Sequence, residues 1–178
     1  MSSFEIPRLE TERLVLRAFR SEDLDAYAAL CADAEVMRFI GDGQPVDRNG
    51  AWRQMAGFNG HWTLRGCGMW AVERRSDGML LGRVGLHHPP YWPALEAGWV
   101  LARAAWGQGY AREGAQAAVA YAREVVRPTR LISLIQPGNA RSVRVAEALG
   151  TTCQGEQDLL GNPVLIYEHA HEHVRAGR

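Results

Sequence analysis

The stretch WGQGYAREG, residues 106–114, constrains this chain more than any other. It joins an alternating segment, LEAGWVLA (95–102), to a proline-free run rich in Ala, Glu and Gln that stops at Pro128. That order predicts a strand, a glycine turn and a helix over about residues 110–126. A helix N-terminus leaves its first N–H groups without partners and carries partial positive charge. Gly107 and Gly109 let a ligand come close to that backbone. The segment is therefore a candidate anion site, with a phosphate or pyrophosphate as the obvious anion. A tight turn with no ligand fits a lone pair of glycines as well. A P-loop does not fit, because no lysine follows the glycines, and a Rossmann fingerprint does not fit, because Arg112 stands where its third glycine belongs.

The remaining punctuation predicts an α+β chain. RLVLRAF (13–19) alternates as a strand with Leu14, Leu16 and Ala18 on one side, and Ser21 is a candidate N-cap for the helix that follows. A second helix spans about 47–64, with Asp47 as its cap and Trp52, Met55, Phe58 and Trp62 on one face; Gly57 and Gly60 weaken or break it. MWAVERR (69–75), the turn SDG and MLLGRVGLHH (79–88) read as a hairpin. RLISLIQ (130–136) is an apolar strand. ARSVRVAEALG (140–150) is a short helix with Asn139 as cap and Gly150 as its stop, and TTCQGEQ and PVLIYEH form a last hairpin around LLGN. No repeat or linker divides the chain, so residues 1–178 are expected to form one domain.

Several function classes are disfavoured by composition. The 20 Lys+Arg balance 20 Asp+Glu, which argues against a nucleic-acid partner held by a basic face. No apolar run approaches the roughly 18–20 residues of a membrane span, and MSSFEIPRLETERL has no signal-peptide core. Cys31, Cys67 and Cys153 are far apart and odd in number, which indicates neither a disulfide framework nor a zinc site. The expectation is a cytoplasmic protein.

Residues 106–111, Trp-Gly-Gln-Gly-Tyr-Ala, resemble the acetyl-CoA signature [QR]xxGx[GA] of the GNAT acetyltransferases, matching at Gly109 and Ala111 and departing at Trp106. The form WGxGYA is similar to the Rim-type branch, which acetylates protein N-termini and small amines. TERLVLRAFRSEDLDAY resembles that branch's first strand and helix, and EAGWVLARAAWGQGYAREGAQAAVAYA its fourth strand, loop and third helix. NARSVRVAEALG resembles its NxxSxxVxExLG segment at Asn139, Ser142, Val145, Glu147, Leu149 and Gly150. The 45–65 region and PPYW have no counterpart.

The resemblance implies a single GNAT-type domain, a mixed and mainly antiparallel twisted sheet of about seven strands flanked by about four helices. It implies direct acetyl transfer from acetyl-CoA to a primary amine in a ternary complex, with no metal. Trp99, Val100 and Leu101 would follow the pantetheine arm, where the family splays its fourth and fifth strands, and Val100 or a neighbour would donate an N–H to the thioester carbonyl. Gly107, Gln108, Gly109, Tyr110, Ala111 and Arg112 would hold the pyrophosphate. Glu96 is the candidate general base, with a rim carboxylate that only holds the amine as the other reading. Asn139 and Ser142 would lie near the cofactor. The aligned VRVAEALG has no tyrosine to act as general acid, which leaves Ser142 or water to protonate the thiolate.

Tyr91 and Trp92 are candidates for lining the acceptor site. His87 or His88 could act as a second base, though surface positions are expected. HAHEH (169–173) has metal-like spacing, but an ordinary chain end is the better reading. Trp52, Phe58 and Trp62 are expected in the core, and Cys67 and Cys153 as small packing residues. The expected partner is an amine acceptor, a peptide N-terminus or a small molecule, with no nucleic acid and no membrane; a homodimer stays open. The alternative function is a CoA-binding sensor module without catalysis.

Overall fold

The structure is a computed structural model that describes residues 5–170. One sheet organises it: β1 (Leu9–Glu10), β2 (Leu14–Arg17), β3 (Met69–Arg74), β4 (Leu80–His87), β5 (Leu95–Leu101), β6 (Leu131–Ile135), β7 (Thr152–Leu159) and β8 (Asn162–Glu168). The spatial order is β1-β2-β3-β4-β5-β6-β8-β7, and every neighbouring pair is antiparallel except β5 with β6. The helices are α1 (Leu24–Ala32), α2 (Ala34–Met37), α3 (Arg48–Arg65), α4 (Tyr110–Tyr121) and α5 (Ala140–Ala148). The expected α+β domain with a mixed, mainly antiparallel sheet is thus observed, enlarged by the two-residue edge strand β1 and the single turn α2.

Strand alternation sends alternate side chains to opposite faces. Leu14, Leu16, Val84, Leu86, Ala97 and Leu101 pack with Ala115, Ala118 and Val119 of α4. The opposite face gathers Ala71 and Val100 with Tyr27, Leu30, Ala51 and Met55 from α1 and α3. Glu96, Gly98 and Val100 alternate along β5, so they share the face away from α4.

Two caps are found where the sequence puts them. Asp47 accepts from the Gly50 N–H at 2.7 Å, and Asn139 accepts from the Ser142 N–H at 3.2 Å. The Ser21 cap is corrected. Ser21 opens a short 3₁₀ turn, and the capping carboxylate is Asp23, which accepts the Arg20 N–H at 2.8 Å. Asp23 is buried because it also takes both terminal nitrogens of Arg17, at 2.7 and 2.8 Å, while Arg17 Nε donates to Glu73 at 2.7 Å.

Gly57 and Gly60 do not interrupt α3, which runs unbroken because Ala51, Met55 and Trp62 anchor it. Trp52 does not join them: it is 57% exposed, and Ala51 takes the buried place. The helix expected to reach 126 closes at Tyr121 into a π turn, Ala122–Val126, ahead of Arg127 at φ 53° and Pro128. Cys67 is buried as expected, whereas Cys153 is exposed on the edge strand β7. His171 and His173 lie outside the described residues. His169 is buried and bonded to Ser133.

Candidate active site

The parallel pairing of β5 and β6 lasts for two residue pairs, Leu95 with Leu131 and Glu96 with Ile132, and then the strands diverge. Ser133 marks the divergence: its hydroxyl donates to the Ala97 carbonyl at 2.6 Å. With its one proton spent there, the hydroxyl oxygen accepts from His169 Nε2 at 3.0 Å. Burial lowers the His169 pKa to about 4, so the imidazole is neutral at pH 7 and the contact is a neutral hydrogen bond.

Two cavities open from the gap. One, of about 550 Å³, is lined by Glu96 to Val100, by Ser133 to Gln136 and by side chains from α3 and β4. The other, of about 350 Å³, is lined by Trp99 to Leu101 and by Trp106, Gly107, Gly109, Tyr110, Ala111 and Arg112. Phe39, Ile40, Trp99, Val100, Asn139 and Ser142 border both. The two are therefore arms of a single cleft that meet where β5 and β6 part.

The second arm ends on the α4 N-terminus. Gly107 and Gly109 have φ of 74° and 81°, a region costly for other residues. The first intrahelical bond runs from the Glu113 N–H to the Gly109 carbonyl, 3.0 Å, so the N–H groups of Tyr110, Ala111 and Arg112 have no acceptor within the helix. A Cβ on Gly107 would meet nothing within 4 Å, which describes an open cradle. Arg13 braces the turn, donating to the Gln108 carbonyl at 2.8 Å and to Glu113 at 2.7 Å. The Gln108 side chain turns back onto the Ala104 carbonyl and does not line the arm. Arg141 and Arg144 of α5 do line it, with Arg141 over the Trp106 ring at 3.7 Å. Sequence reasoning missed both, although their spacing of three near a helix's start puts them on one face.

Glu96 stands in the first arm. Burial pushes its carboxyl up to about 7, against the opposing effects of the Trp92 indole, the Arg83 charge and the Leu134 N–H. Trp92 Nε1 donates to Glu96 Oε2 at 2.6 Å and fixes its orientation. Trp92 lines the same arm. Tyr91 does not: it is 86% exposed, at φ 71°, and the chain turns its ring to solvent. His87 also lines the arm and is not a surface residue. It stacks on His61 at 5.4 Å and meets the Trp92 edge at 5.3 Å. Burial, with the charges of His61, Arg83 and His88, lowers its pKa to about 4, so it is a poor base at pH 7.

A strand pair that splays, beside a helix N-terminus built on two left-handed glycines, is the arrangement against which the comparisons are decisive. The acetyltransferase (GNAT) domain model matches residues 13–152. The chain belongs to the GNAT acetyltransferase family. It is thus an acetyl-CoA-dependent acetyltransferase. An acetyltransferase from Agrobacterium tumefaciens str. C58 superposes with a TM-score of 0.83 at 31% identity, over 95% of this chain and 97% of that one. YkkB of Bacillus subtilis (strain 168), an uncharacterized protein, is 28% identical over 90% of this chain and 94% of its own. The ribosomal L7/L12 α-N-protein acetyltransferase RimL, solved with coenzyme A, has a TM-score of 0.73 at 18% identity, over 89% of this chain and 94% of that chain. That last likeness is one of fold, so the Rim-type assignment narrows to the GNAT family. Among the described residues no helix is long and apolar enough to cross a membrane, and no cluster of His, Cys, Asp or Glu is arranged to hold a metal.

Gly109→Val tests the cradle. A β-branched residue at φ 81° is strained by about 1–3 kcal/mol, and its methyls crowd Arg13, which stands 3.3 Å from where a Cβ would be. Acetyl-CoA affinity is expected to fall at least tenfold by calorimetry. Unchanged affinity would remove the helix terminus from the anion site.

Proposed function

We propose that the enzyme transfers the acetyl group of acetyl-CoA directly to a primary amine, and that the acceptor is a small molecule. The observation that carries this reading is Glu96, half-buried in the arm opposite the helix N-terminus with its carboxyl pushed up to about 7. A base with that pKa can take a proton near neutral pH. The residues of the second arm fit a pyrophosphate: free N–H groups, room at Gly107, and the guanidinium groups of Arg112, Arg141 and Arg144. Bound there, acetyl-CoA supplies an activated acetyl group as a thioester.

In this reading the pantetheine runs past Trp99, Val100 and Leu101 to the strand divergence. A β5 N–H at or beside Val100 meets charge developing on the thioester oxygen. Glu96 accepts the ammonium proton, directly or through one water, and the freed nitrogen lone pair forms the N–C bond. The C–S bond breaks, and the second proton of the attacking nitrogen passes by way of Ser142 or water to the departing thiolate. Ser142 borders both arms, which suits that role. Asn139 holds the start of α5 against the same junction.

The small-molecule reading rests on the acceptor arm's walls. Phe39 to Asp42, Phe58, Trp92 and the β7–β8 turn at Leu159 and Leu160 converge on about 550 Å³, room for a compact amine. The test is thiol release from acetyl-CoA with a panel of small amines and peptide N-termini. Faster turnover of compact amines supports the reading; turnover confined to peptides would assign a protein N-terminus instead.

A further inference from the structure

The acceptor arm has a cationic pole that the transfer chemistry does not use. Arg83 lies on β4, in register with Val100 of β5, while His87 is in register with Glu96. Alternation puts Arg83 and His87 on one face of β4, the face shared with Glu96, Gly98 and Val100. All five line the same cavity. Arg83 forms no ion pair with a carboxylate among the described residues, and its Nε is buried without a hydrogen-bond partner. Its guanidinium carbon rests 4.9 Å from the Phe58 ring centroid. The two carboxylates that line the arm are otherwise engaged: Glu96 with Trp92, and Asp42 with the Gln44 N–H at 3.1 Å. Arg83 is half-buried, and its Nε, kept from water without an acceptor, is costly unless a ligand completes it.

The floor between the two poles is bare. Gly98 stands between Val100 and Glu96 on their face of β5, and its partner across the ladder is Gly85. A side chain at Gly98 would sit 3.5 Å from Glu96 Oε1 and 3.2 Å from the Met69 methyl. Along the strand, Arg83 and Glu96 are offset by four residues, roughly 13 Å between α-carbons, and both side chains shorten the gap.

We infer, resting on the acetyl-transfer reading above, that the acceptor is an amine that also carries a carboxylate, with the amine held at Glu96 and the carboxylate held by the fork of Arg83. Phe58 and Trp92 give the body of the molecule an apolar wall. An amino-acid-like acceptor fits both poles, whereas a polyamine would bring like charge against Arg83.

The test uses matched acceptors that differ only in the carboxylate: phenylalanine beside phenylalaninamide, and a series of ω-amino acids beside the alkylamines of equal length. The wild type is expected to prefer a carboxylate-bearing member by on the order of 10- to 100-fold in kcat/KM, the range of a charge-assisted fork. Arg83→Met is expected to bring that ratio to about one, and Arg83→Lys to leave an intermediate ratio, since it keeps the charge without the fork. A ratio is insensitive to a general loss of folded enzyme. Wild-type preference for the alkylamines and the amide, or a ratio unmoved by Arg83→Met, overturns the inference while acetyl transfer to amines stands. No thiol release with any amine overturns both.

Discussion

Replacing Glu96 with Gln is expected to lower kcat by about 10²–10⁴-fold, the range of a positioned general base, with little change in acetyl-CoA affinity. Gln keeps the size of the side chain and can still accept from the Trp92 indole, which donates to Glu96 at 2.6 Å. It cannot take a proton from an ammonium. The thioester site draws on other parts, the β5 backbone beyond Gly98 and the α4 N-terminus, so binding is spared. Steady-state kinetics of thiol release, with calorimetry for acetyl-CoA, separate the two effects. A loss of only a few-fold in kcat would reduce Glu96 to a group that holds the amine.

The second large effect lies outside the cleft, which Arg17, Asp23 and Glu73 do not line. Asp23→Ala is expected to lower unfolding free energy by about 3–5 kcal/mol, because it takes the carboxylate from both terminal nitrogens of a buried guanidinium. Arg17 gives both terminal nitrogens to Asp23 and its Nε to Glu73, and Arg17 and Asp23 are both buried. This triad ties the start of α1 to β2 and β3. Burial tends to raise the Asp23 pKa, but the bonds from Arg17 and from the Arg20 N–H outweigh it and hold the carboxyl below its ordinary range. A depressed carboxylate contributes stability above its unfolded pKa and loses it as pH falls through the folded value. Wild-type stability is thus expected to decline below the ordinary carboxylate range, and the Asp23→Ala variant to lack that part of the decline. Urea denaturation across pH measures both. A loss under about 1 kcal/mol near pH 7 would show the triad to be marginal.

Those two sites differ in how far the sequence revealed them. Glu96 and the glycine turn follow from residues contiguous in the chain, where resemblance and local chemistry agree. The caps at Asp47 and Asn139 are likewise local, each set by a side chain and an N–H three residues on. Asp23 is not legible locally: its partner Arg17 lies on β2, and the second carboxylate on that guanidinium, Glu73, comes 56 positions after Arg17 on β3. Helix propensity misled at Gly57 and Gly60: each glycine costs about 1 kcal/mol, less than the packing of Met55 and Trp62 restores. Periodicity misled at Trp52, since the buried stripe of α3 runs through Ala51, Met55 and Trp62, and Trp52 stands one residue round the helix from Ala51.

The arm that holds Glu96 was the least legible part of the cleft. Its walls come from the 39–42 loop, α3, β4, β5, β6 and the β7–β8 turn, which meet only in the folded chain. Arg83 did leave a trace, a charge in the apolar strand LLGRVGLH, on the same alternation as His87. Nothing local says that the face it occupies is a cavity. Tyr91 misled for the opposite reason: a proline-bounded aromatic pair suggests a binding loop, but the turn sends Trp92 inward and Tyr91 out.

The most direct test of the central claim is the pH profile of kcat/KM, which reports the free enzyme, for wild type and Glu96→Gln side by side. The acceptor should be an amine of low basicity that stays unprotonated throughout the range. The wild type is expected to rise with pH to a plateau, with an apparent pKa near 7 that belongs to Glu96, and the variant is expected to show no such limb. A limb that persists unchanged in Glu96→Gln would contradict the account and move the base elsewhere.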